Sequence, residues 1–189
     1  MRLVLASTSP RRLQLLERIG VTPDRVVGPD IDEEPRKGEL PRVYATRLAE
    51  EKARAVPREA DEIVIAGDTT VSVGRRILNK PADADDHRRM LELMSGRRHH
   101  VWSGVCVIDR DGRARTRLTD SIVAFKRLSA AEIDWYLASG EGWGKAGGYA
   151  IQGRAEALVR FLSGSHSGVV GLPLFETRAL LEASGYRFG

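Results

Sequence analysis

Two arginines stand side by side directly after a short turn near the start of the chain. In the segment "LASTSPRR", residues 5–12, Ser9 is a suitable helix N-cap and the following proline suits a first helical turn. Arg11 and Arg12 would then lie where the helix dipole disfavours a cation by roughly 0.3–1 kcal/mol each. Backbone N–H groups at a helix start attract anions. The pattern therefore predicts that this turn binds a phosphate-bearing ligand.

Lys52 falls inside the apolar stripe of a second predicted helix, residues 41–56. It is four residues from both Leu48 and Val56, so its stem must run along an apolar face. Such a lysine is costly unless its ammonium is paired or reaches solvent. Either an ammonium that snorkels at the edge of the stripe or a cation aimed into a polar cleft satisfies this pattern.

Asp68 follows an uninterrupted apolar run, "IVIA" at residues 63–66, which predicts a strand covered on both faces. Ligands of open α/β sheets bind beyond the carboxyl ends of strands. A carboxylate at that place could bind Mg²⁺ or act as a general base. An Asp that only stabilises a turn through its side chain is the structural alternative.

A predicted loop at residues 30–34 contains four carboxylates, on Asp30, Asp32, Glu33 and Glu34. A solvated acidic loop explains the run by itself. Because hard cations require several oxygen ligands, one of these side chains could also join Asp68 at a metal.

Two further polar residues lie in predicted loops. Lys80 precedes a proline and is therefore biased toward extended backbone, although an ordinary surface lysine fits equally. Gln152 follows a glycine-dense segment, and its amide both donates and accepts, which suits a base edge. The segment "GWGKAG" matches G-x-G-x-x-G only formally, because it follows a helix and not a strand.

The histidines and the single cysteine show no catalytic or zinc-binding pattern. Core or surface roles are predicted for all five, which are His87, His99, His100, His166 and Cys106. The absence of G-x-S-x-G from the sequence argues against a serine hydrolase.

Composition limits the class of protein. The 189 residues are 42% hydrophobic and 30% charged, which predicts one globular domain over residues 1–189. No apolar run approaches the roughly 18 residues of a membrane span, and no signal peptide is apparent. A single cysteine favours a reducing compartment, so we expect a cytoplasmic protein. The net charge of +4 suits an anionic ligand, but no basic stripe alternates with aromatics as nucleic-acid binding would need.

Periodicity and capping signals predict alternating helices and strands. Helices are expected at 10–20, 41–56, 83–96, 129–140 and 172–185, and strands at 2–6 and 157–164. In residues 62–78 we expect a strand with a polar break at Gly67–Asp68, followed by a hairpin at Gly74. Residues 99–128 are expected to form a long hairpin. The interleaving predicts an α/β fold with a mixed central sheet flanked by helices.

Seven motifs follow one another along the chain: "LASTSPRR", "IDEE", "RLAEEKA", "GDTTV", "KPADADDHRRMLELMSG", "GYAIQG" and "VVGLPL". In their order and spacing, the chain resembles the Maf family of nucleotide pyrophosphatases over nearly its whole length. The resemblance implies a Maf/inosine-triphosphatase-like fold, with two lobes around a nucleotide-binding cleft. It also implies hydrolysis of a nucleoside triphosphate to the monophosphate and pyrophosphate, aided by a divalent cation, Mg²⁺ or Mn²⁺.

The resemblance also implies roles for individual residues. The general catalytic set of the family is matched by Ser7, Arg12, Glu33, Lys52 and Asp68. Glu33 and Asp68 would hold the metal, Ser7 would contact phosphate, and Arg12 and Lys52 would neutralise the triphosphate. Asp68 would also deprotonate the water that attacks the α-phosphorus.

Three positions resemble the subgroup that prefers dTTP and UTP, namely Arg11, Lys80 and Gln152. The subgroup acting on 7-methyl-GTP typically has an aromatic residue where Arg11 stands. Asn79 departs from the usual Gly or Glu, which affects only fine specificity. A house-cleaning role that prevents misincorporation would follow.

A second interpretation is a nucleotide-sensing regulator of septum formation that hydrolyses only incidentally, since the family is also associated with septum arrest. The resemblance further implies a homodimer, and the composition described above predicts no nucleic-acid or membrane partner.

Overall fold

The computed structural model describes residues 2–189, whose strands form one seven-stranded mixed sheet. The strand order is β2-β1-β3-β5-β6-β7, with β4 on the free part of β3. The strands are β1 (Arg2–Ala6), β2 (Arg25–Val27), β3 (Glu62–Val73), β4 (Arg76–Leu78), β5 (Arg98–Ile108), β6 (Ala114–Phe125) and β7 (Val159–Ser163). β1 pairs in parallel with β2 and β3, whereas the remaining pairs are antiparallel.

In the described part of the chain, six α-helices flank this sheet: α1 (Pro10–Glu17), α2 (Pro41–Ala55), α3 (Ala84–Met94), α4 (Ala130–Ala138), α5 (His166–Val170) and α6 (Leu174–Ala183). Two short 3₁₀ helices, Ala146–Gly148 and Arg154–Leu158, precede β7. The predicted mixed α/β fold is confirmed.

Alternation along β1 and β3 determines which helix covers which face. Leu3, Leu5 and Ile65 belong to a core that includes residues of α1 and α6. Val4 and Ala66 point to the opposite face and pack with residues of α2. Because side chains alternate in a strand, Asp68 shares the α2 face with Ala66.

A separate core lies toward the other half of the sheet. It combines residues of α3, α4, β5 and β6 with the segment that follows α4, and its largest fully buried side chain is that of Tyr136. Residues of both regions line one cleft, among them Val71 and Val101 of this core and Ala6 of the α2 face.

The structure corrects three local predictions. β3 continues through Gly67–Asp68 without a break, because β5 pairs with it from Val64 to Ser72. Ser9 occupies the N-cap position of α1 but makes no side-chain cap. The short helix α5 was not predicted. The hairpins at Gly74 and at residues 109–113 are confirmed, as is the capping box of α4.

Within residues 2–189, no helix combines the length and apolar character that a membrane crossing requires.

Candidate active site

The parallel pairing of β1 with β3 builds one edge of the cleft. Ala6 lies opposite Ala66 in the register, so the residues that follow, Ser7 and Asp68, come to the same edge of the sheet. They are far apart in sequence, and both are buried. A hydroxyl and a carboxylate thus meet the same edge of the sheet, at the point where β1 ends and β3 continues past it.

The cleft above this edge has a volume of about 470 Å³, within the range of small-molecule sites. All the predicted site residues line it, namely Ser7, Arg11, Arg12, Glu33, Lys52, Asp68, Lys80 and Gln152. With Lys145, five cationic side chains face three carboxylates, on Glu33, Glu34 and Asp68. The cleft is therefore suited to a polyanion.

Lys52 is a buried cation paired inside the cleft. Its Nζ lies 2.8 Å from Oδ1 of Asp68 and 3.2 Å from Oε2 of Glu33. Its side chain is only 7% exposed, so the snorkelling interpretation is wrong and the cleft interpretation is confirmed. One ammonium bridges two carboxylates that belong to different elements, the acidic loop and β3.

Thr70 is a site residue that the sequence interpretation missed. Its Oγ1 donates to Oδ2 of Asp68 at 2.9 Å, and the hydroxyl is buried. Lys52 holds the other oxygen of Asp68, so both carboxylate oxygens have a fixed donor. The two-residue spacing of a strand places Thr70 and Asp68 on the same face, but the predicted strand break at Gly67–Asp68 concealed this relation in the sequence.

Arg12 is held by neutral acceptors and not by a carboxylate. Its Nε donates to the carbonyl of Gly171 at 2.9 Å, and its Nη1 donates to Oγ of Ser7 at 3.1 Å. Burial lowers the pKa of Arg12, whereas the Asp68 carboxylate raises it. The guanidinium remains charged and keeps further N–H donors free for a ligand. Gly171 lies in the motif "VVGLPL", which this contact connects with the cleft.

Arg11 and Lys145 line the same cleft although they are far apart in the sequence, Arg11 in α1 and Lys145 in the loop that follows α4. Burial lowers the pKa of Arg11. Burial also lowers the pKa of Lys145, and the nearby Arg11 charge lowers it further. Nζ of Lys145 donates to the carbonyl of Glu141 at 2.5 Å. Lys145 was not predicted as a site residue, because the sequence gives no indication that its loop folds over the cleft.

Tyr44 fixes the acidic loop against α2. Its hydroxyl donates to the backbone carbonyl of Glu33 at 2.6 Å, and burial raises the pKa of the phenol. Tyr44, Leu48 and Lys52 recur at the four-residue spacing of one helix face. The same helix face therefore positions the acidic loop and supplies the buried ammonium. The sequence interpretation missed Tyr44.

The cleft changes character along β3. Asp68 lies at its charged part, whereas Val71, three residues further, lies at a part also lined by Leu78, Val101 and Tyr149. Three strand residues span roughly 10 Å. Gln152 is exposed and borders the cleft. Lys80 is also mostly exposed, with Nζ 4.0 Å from Glu33.

Of the three carboxylates on the cleft, Glu33 and Asp68 share the cationic partner Lys52 and are therefore the two candidates to hold a metal. No group of three or more acidic, histidine or cysteine side chains in the described chain is arranged to hold a metal. Mg²⁺ commonly uses one or two protein carboxylates and takes its other oxygens from water and substrate phosphates. The pair bridged by Lys52 fits that kind of site.

A sheet-edge cleft with buried cations and a fixed carboxylate defines an α/β protein suited to a phosphorylated ligand. The model of the Maf family, described as Maf-like protein, matches residues 2–184. The chain belongs to the Maf family.

Two relatives show the extent of the similarity. A protein of Sphingopyxis alaskensis named dTTP/UTP pyrophosphatase is 74% identical over 187 residues, covering 99% of this chain and 98% of the relative. One of the same name from Novosphingobium aromaticivorans is 60% identical, covering 97% and 92%. Among solved structures, a nucleoside-triphosphatase (dITP/XTP pyrophosphatase) of Mycobacterium abscessus is similar at a TM-score of 0.42 and 18% identity, covering 69% of this chain and 77% of that one.

Proposed function

We propose that this protein hydrolyses dTTP and UTP to the monophosphate and pyrophosphate. The observation that carries the proposal is the cluster of Lys52, Asp68 and Glu33. It lines the same cleft as Arg12, whose guanidinium is not paired with a carboxylate. The substrate preference is supported by the names of relatives that are 74% and 60% identical. A house-cleaning role that removes nucleotides before misincorporation would follow from that activity.

Charge and position indicate how the nucleotide would lie. The triphosphate would bind near Ser7, Arg12 and Lys52, where amides at the start of α1 and two cations attract it. The base would lie toward Val71 and Gln152, because the apolar part of the cleft is there. The amide of Gln152 can donate and accept at once, as a pyrimidine edge requires.

Asp68 is the candidate general base. Its two oxygens are oriented by Lys52 and Thr70, which limits the directions from which a water can approach. We propose that Asp68 removes a proton from the water that attacks the α-phosphorus. The P–O bond to the β-phosphate breaks, and pyrophosphate carries away the electron pair. Arg12 and Lys52 would neutralise the charge that develops.

We also propose that Glu33 and Asp68 bind Mg²⁺ or Mn²⁺. When bound, such a cation neutralises phosphate charge. Chelation with EDTA should then abolish turnover, and addition of either metal should restore it.

A panel of nucleoside triphosphates with Mg²⁺ or Mn²⁺, measured by pyrophosphate release, tests the function. Efficient release from dTTP and UTP, and slow release from purine nucleotides, is expected. Release of inorganic phosphate alone would contradict α-phosphorus attack. Tight binding with negligible turnover would favour the nucleotide-sensing regulator.

Cytoplasmic location, a single domain over residues 1–189 and a homodimer remain predictions. Light scattering of the purified chain tests the dimer.

A further inference from the structure

A buried histidine outside the cleft is joined to the loop that borders it. His87 lies in the first turn of α3 and is fully buried. Its Nε2 is 2.5 Å from the carbonyl oxygen of Gly148. Because a carbonyl only accepts, Nε2 carries the proton and donates it. The other ring nitrogen, Nδ1, has no hydrogen-bond partner within residues 2–189. The only hydrogen bond of this imidazole is therefore directed at the loop.

The loop is shaped around that imidazole. We name residues 140–153 the glycine loop. A Cβ at Gly148 would lie 2.5 Å from Cδ2 and 2.9 Å from Nε2 of His87, and a Cβ at Gly142 would overlap the ring. Gly148 also has a φ of +68°, which other residues rarely adopt. The ring of Trp143 packs edge-on with its centroid 5.3 Å away. The imidazole thus occupies space that two glycines leave open.

The same loop supplies side chains to the cleft on both sides of Gly148. Lys145 precedes it by three residues and Gln152 follows it by four, and both line the cleft, whereas His87 does not. The N–H of Gly148 donates to the Lys145 carbonyl at 2.9 Å. A displacement of Gly148 would therefore move Lys145 directly and would alter the path of the chain toward Gln152.

Two other buried contacts hold the loop further along. The hydroxyl of Tyr136 accepts from the N–H of Ala150 at 3.0 Å, and the hydroxyl of Tyr149 lies 2.8 Å from Nε2 of His99. Neither contact restrains the part of the loop before Gly148, where the N–H of Gly147 donates to the carbonyl of Asn79 at 3.2 Å but no contact to α3 other than that of His87 is made by a hydrogen bond within residues 2–189. His87 is thus the buried side chain that joins α3 to the centre of the loop.

We propose that His87 is a positioning residue for nucleotide recognition, acting through Gly148 on Lys145 and Gln152. The expected effect on kinetics rests on the proposed function, because it is measured with dTTP as the substrate. Loss of the Nε2–H donor leaves a buried carbonyl unpaired, so the loop should leave its place over the cleft. Binding of the base should weaken, while the chemistry at Asp68 should be preserved.

The test compares His87→Leu, which removes the donor, with His87→Gln, whose amide can still donate to Gly148. We expect His87→Leu to raise KM for dTTP about tenfold with kcat changed by less than about threefold, the pattern of lost uniform binding. His87→Gln should recover most of that loss. His100→Gln is the matched control, because His100 contacts Asp120 and Trp102 and not the loop. A fall in kcat at unchanged KM would overturn the proposal.

A double-mutant cycle tests the fit between the two residues. Gly148→Ala should impair KM strongly because its methyl group meets the imidazole, and His87→Ala should relieve part of that clash. The double variant should therefore be less impaired than the product of the two single effects. Strictly multiplicative effects would show that His87 and Gly148 act independently.

Hydrogen exchange measured by mass spectrometry gives a readout that needs no turnover. His87→Leu should speed exchange in residues 142–150 and leave β1 and β3 protected as in the wild type. Faster exchange throughout the chain, or no change in the loop, would reject the proposal. If the wild type hydrolyses no nucleotide, the proposed function fails, while the exchange result still decides whether His87 holds the loop.

Discussion

The two ends of the β1–β3 pair contain the same kinds of charged residue in opposite arrangements. At the starting ends, Arg2 donates to Asp61 at 3.0 Å, and Arg25 forms a bidentate contact with the buried Glu62. At the carboxyl ends, the hydrogen-bond acceptors of Arg12 within residues 2–189 are the neutral groups of Ser7 and Gly171. The arginines are therefore paired with carboxylates at one end and left available at the other, where the carboxylates of Asp68 and Glu33 pair with Lys52 instead.

The pKa shifts follow the same division. Hydrogen bonds to Asp61 and Glu59 raise the pKa of Arg2. Burial instead lowers the pKa of Arg11 and of Arg12. A cation that is partly desolvated without a matching carboxylate is destabilised in the free protein. A bound polyanion removes that cost, so the end with the unpaired arginines is suited to binding. The end at which Arg2 and Arg25 pair with carboxylates, the paired end, is suited to stability.

The largest effect is expected from Asp68→Asn. The substitution keeps the shape of the side chain but removes the proposed base, so kcat should fall about 10³-fold. Pyrophosphate release measures the loss, and circular dichroism checks that the fold is retained. Asp61→Asn is the matched control at the paired end and should keep normal turnover. Near-normal turnover by Asp68→Asn would refute its assignment as the base.

Arg12→Ala should follow, with kcat/KM reduced about 10²-fold for every nucleotide, because a charge-assisted contact with phosphate is lost. Steady-state kinetics on dTTP, UTP and one purine nucleotide measure the effect. Arg2→Ala removes an equal charge at the paired end and should leave kcat/KM unchanged. A loss confined to one nucleotide would show that Arg12 recognises the base instead.

Glu62→Gln is expected to affect stability and not activity. The carboxylate of Glu62 accepts from Arg25 and from the backbone N–H of Glu59, and both contacts lower its pKa. Loss of the charge should reduce the free energy of unfolding by about 1–3 kcal/mol. Urea denaturation measures the change, and kcat/KM for dTTP should stay within about twofold of the wild-type value. A large loss of turnover with unchanged stability would contradict the assignment of the paired end to stability and not to catalysis.

Arg11→Ala should give the smallest and most selective effect. Arg11 lies on the cleft with Lys145, and we expect the ratio of kcat/KM between pyrimidine and purine nucleotides to change about tenfold at most. The same nucleotide panel measures that ratio. An equal loss on all nucleotides would contradict the division between Arg12 as a phosphate ligand and Arg11 as a selector.

The elements that carry the site could largely be predicted from local sequence. Four-residue spacing placed Lys52 on the inner face of α2, and an apolar run placed Asp68 beside a buried strand. Periodicity did not reveal that β3 continues through Gly67 and Asp68, because that depends on pairing with β5, a distant segment. Thr70 was missed for the same reason: its role requires Asp68 to be within a strand, where every second residue shares a face.

The sequence by itself determined the residue types, the alternation of helices and strands, and the motifs shared with the Maf family. Only the tertiary structure decided which distant residues meet. The parallel register of β1 on β3 brings Ser7 and Asp68 to the same edge of the sheet, and the packing of α2 brings Lys52 within 2.8 Å of the Asp68 carboxylate. The position of α3 places His87 against the glycine loop. Spacing along a chain encodes local periodicity, whereas these contacts depend on how the strands pair and the helices pack.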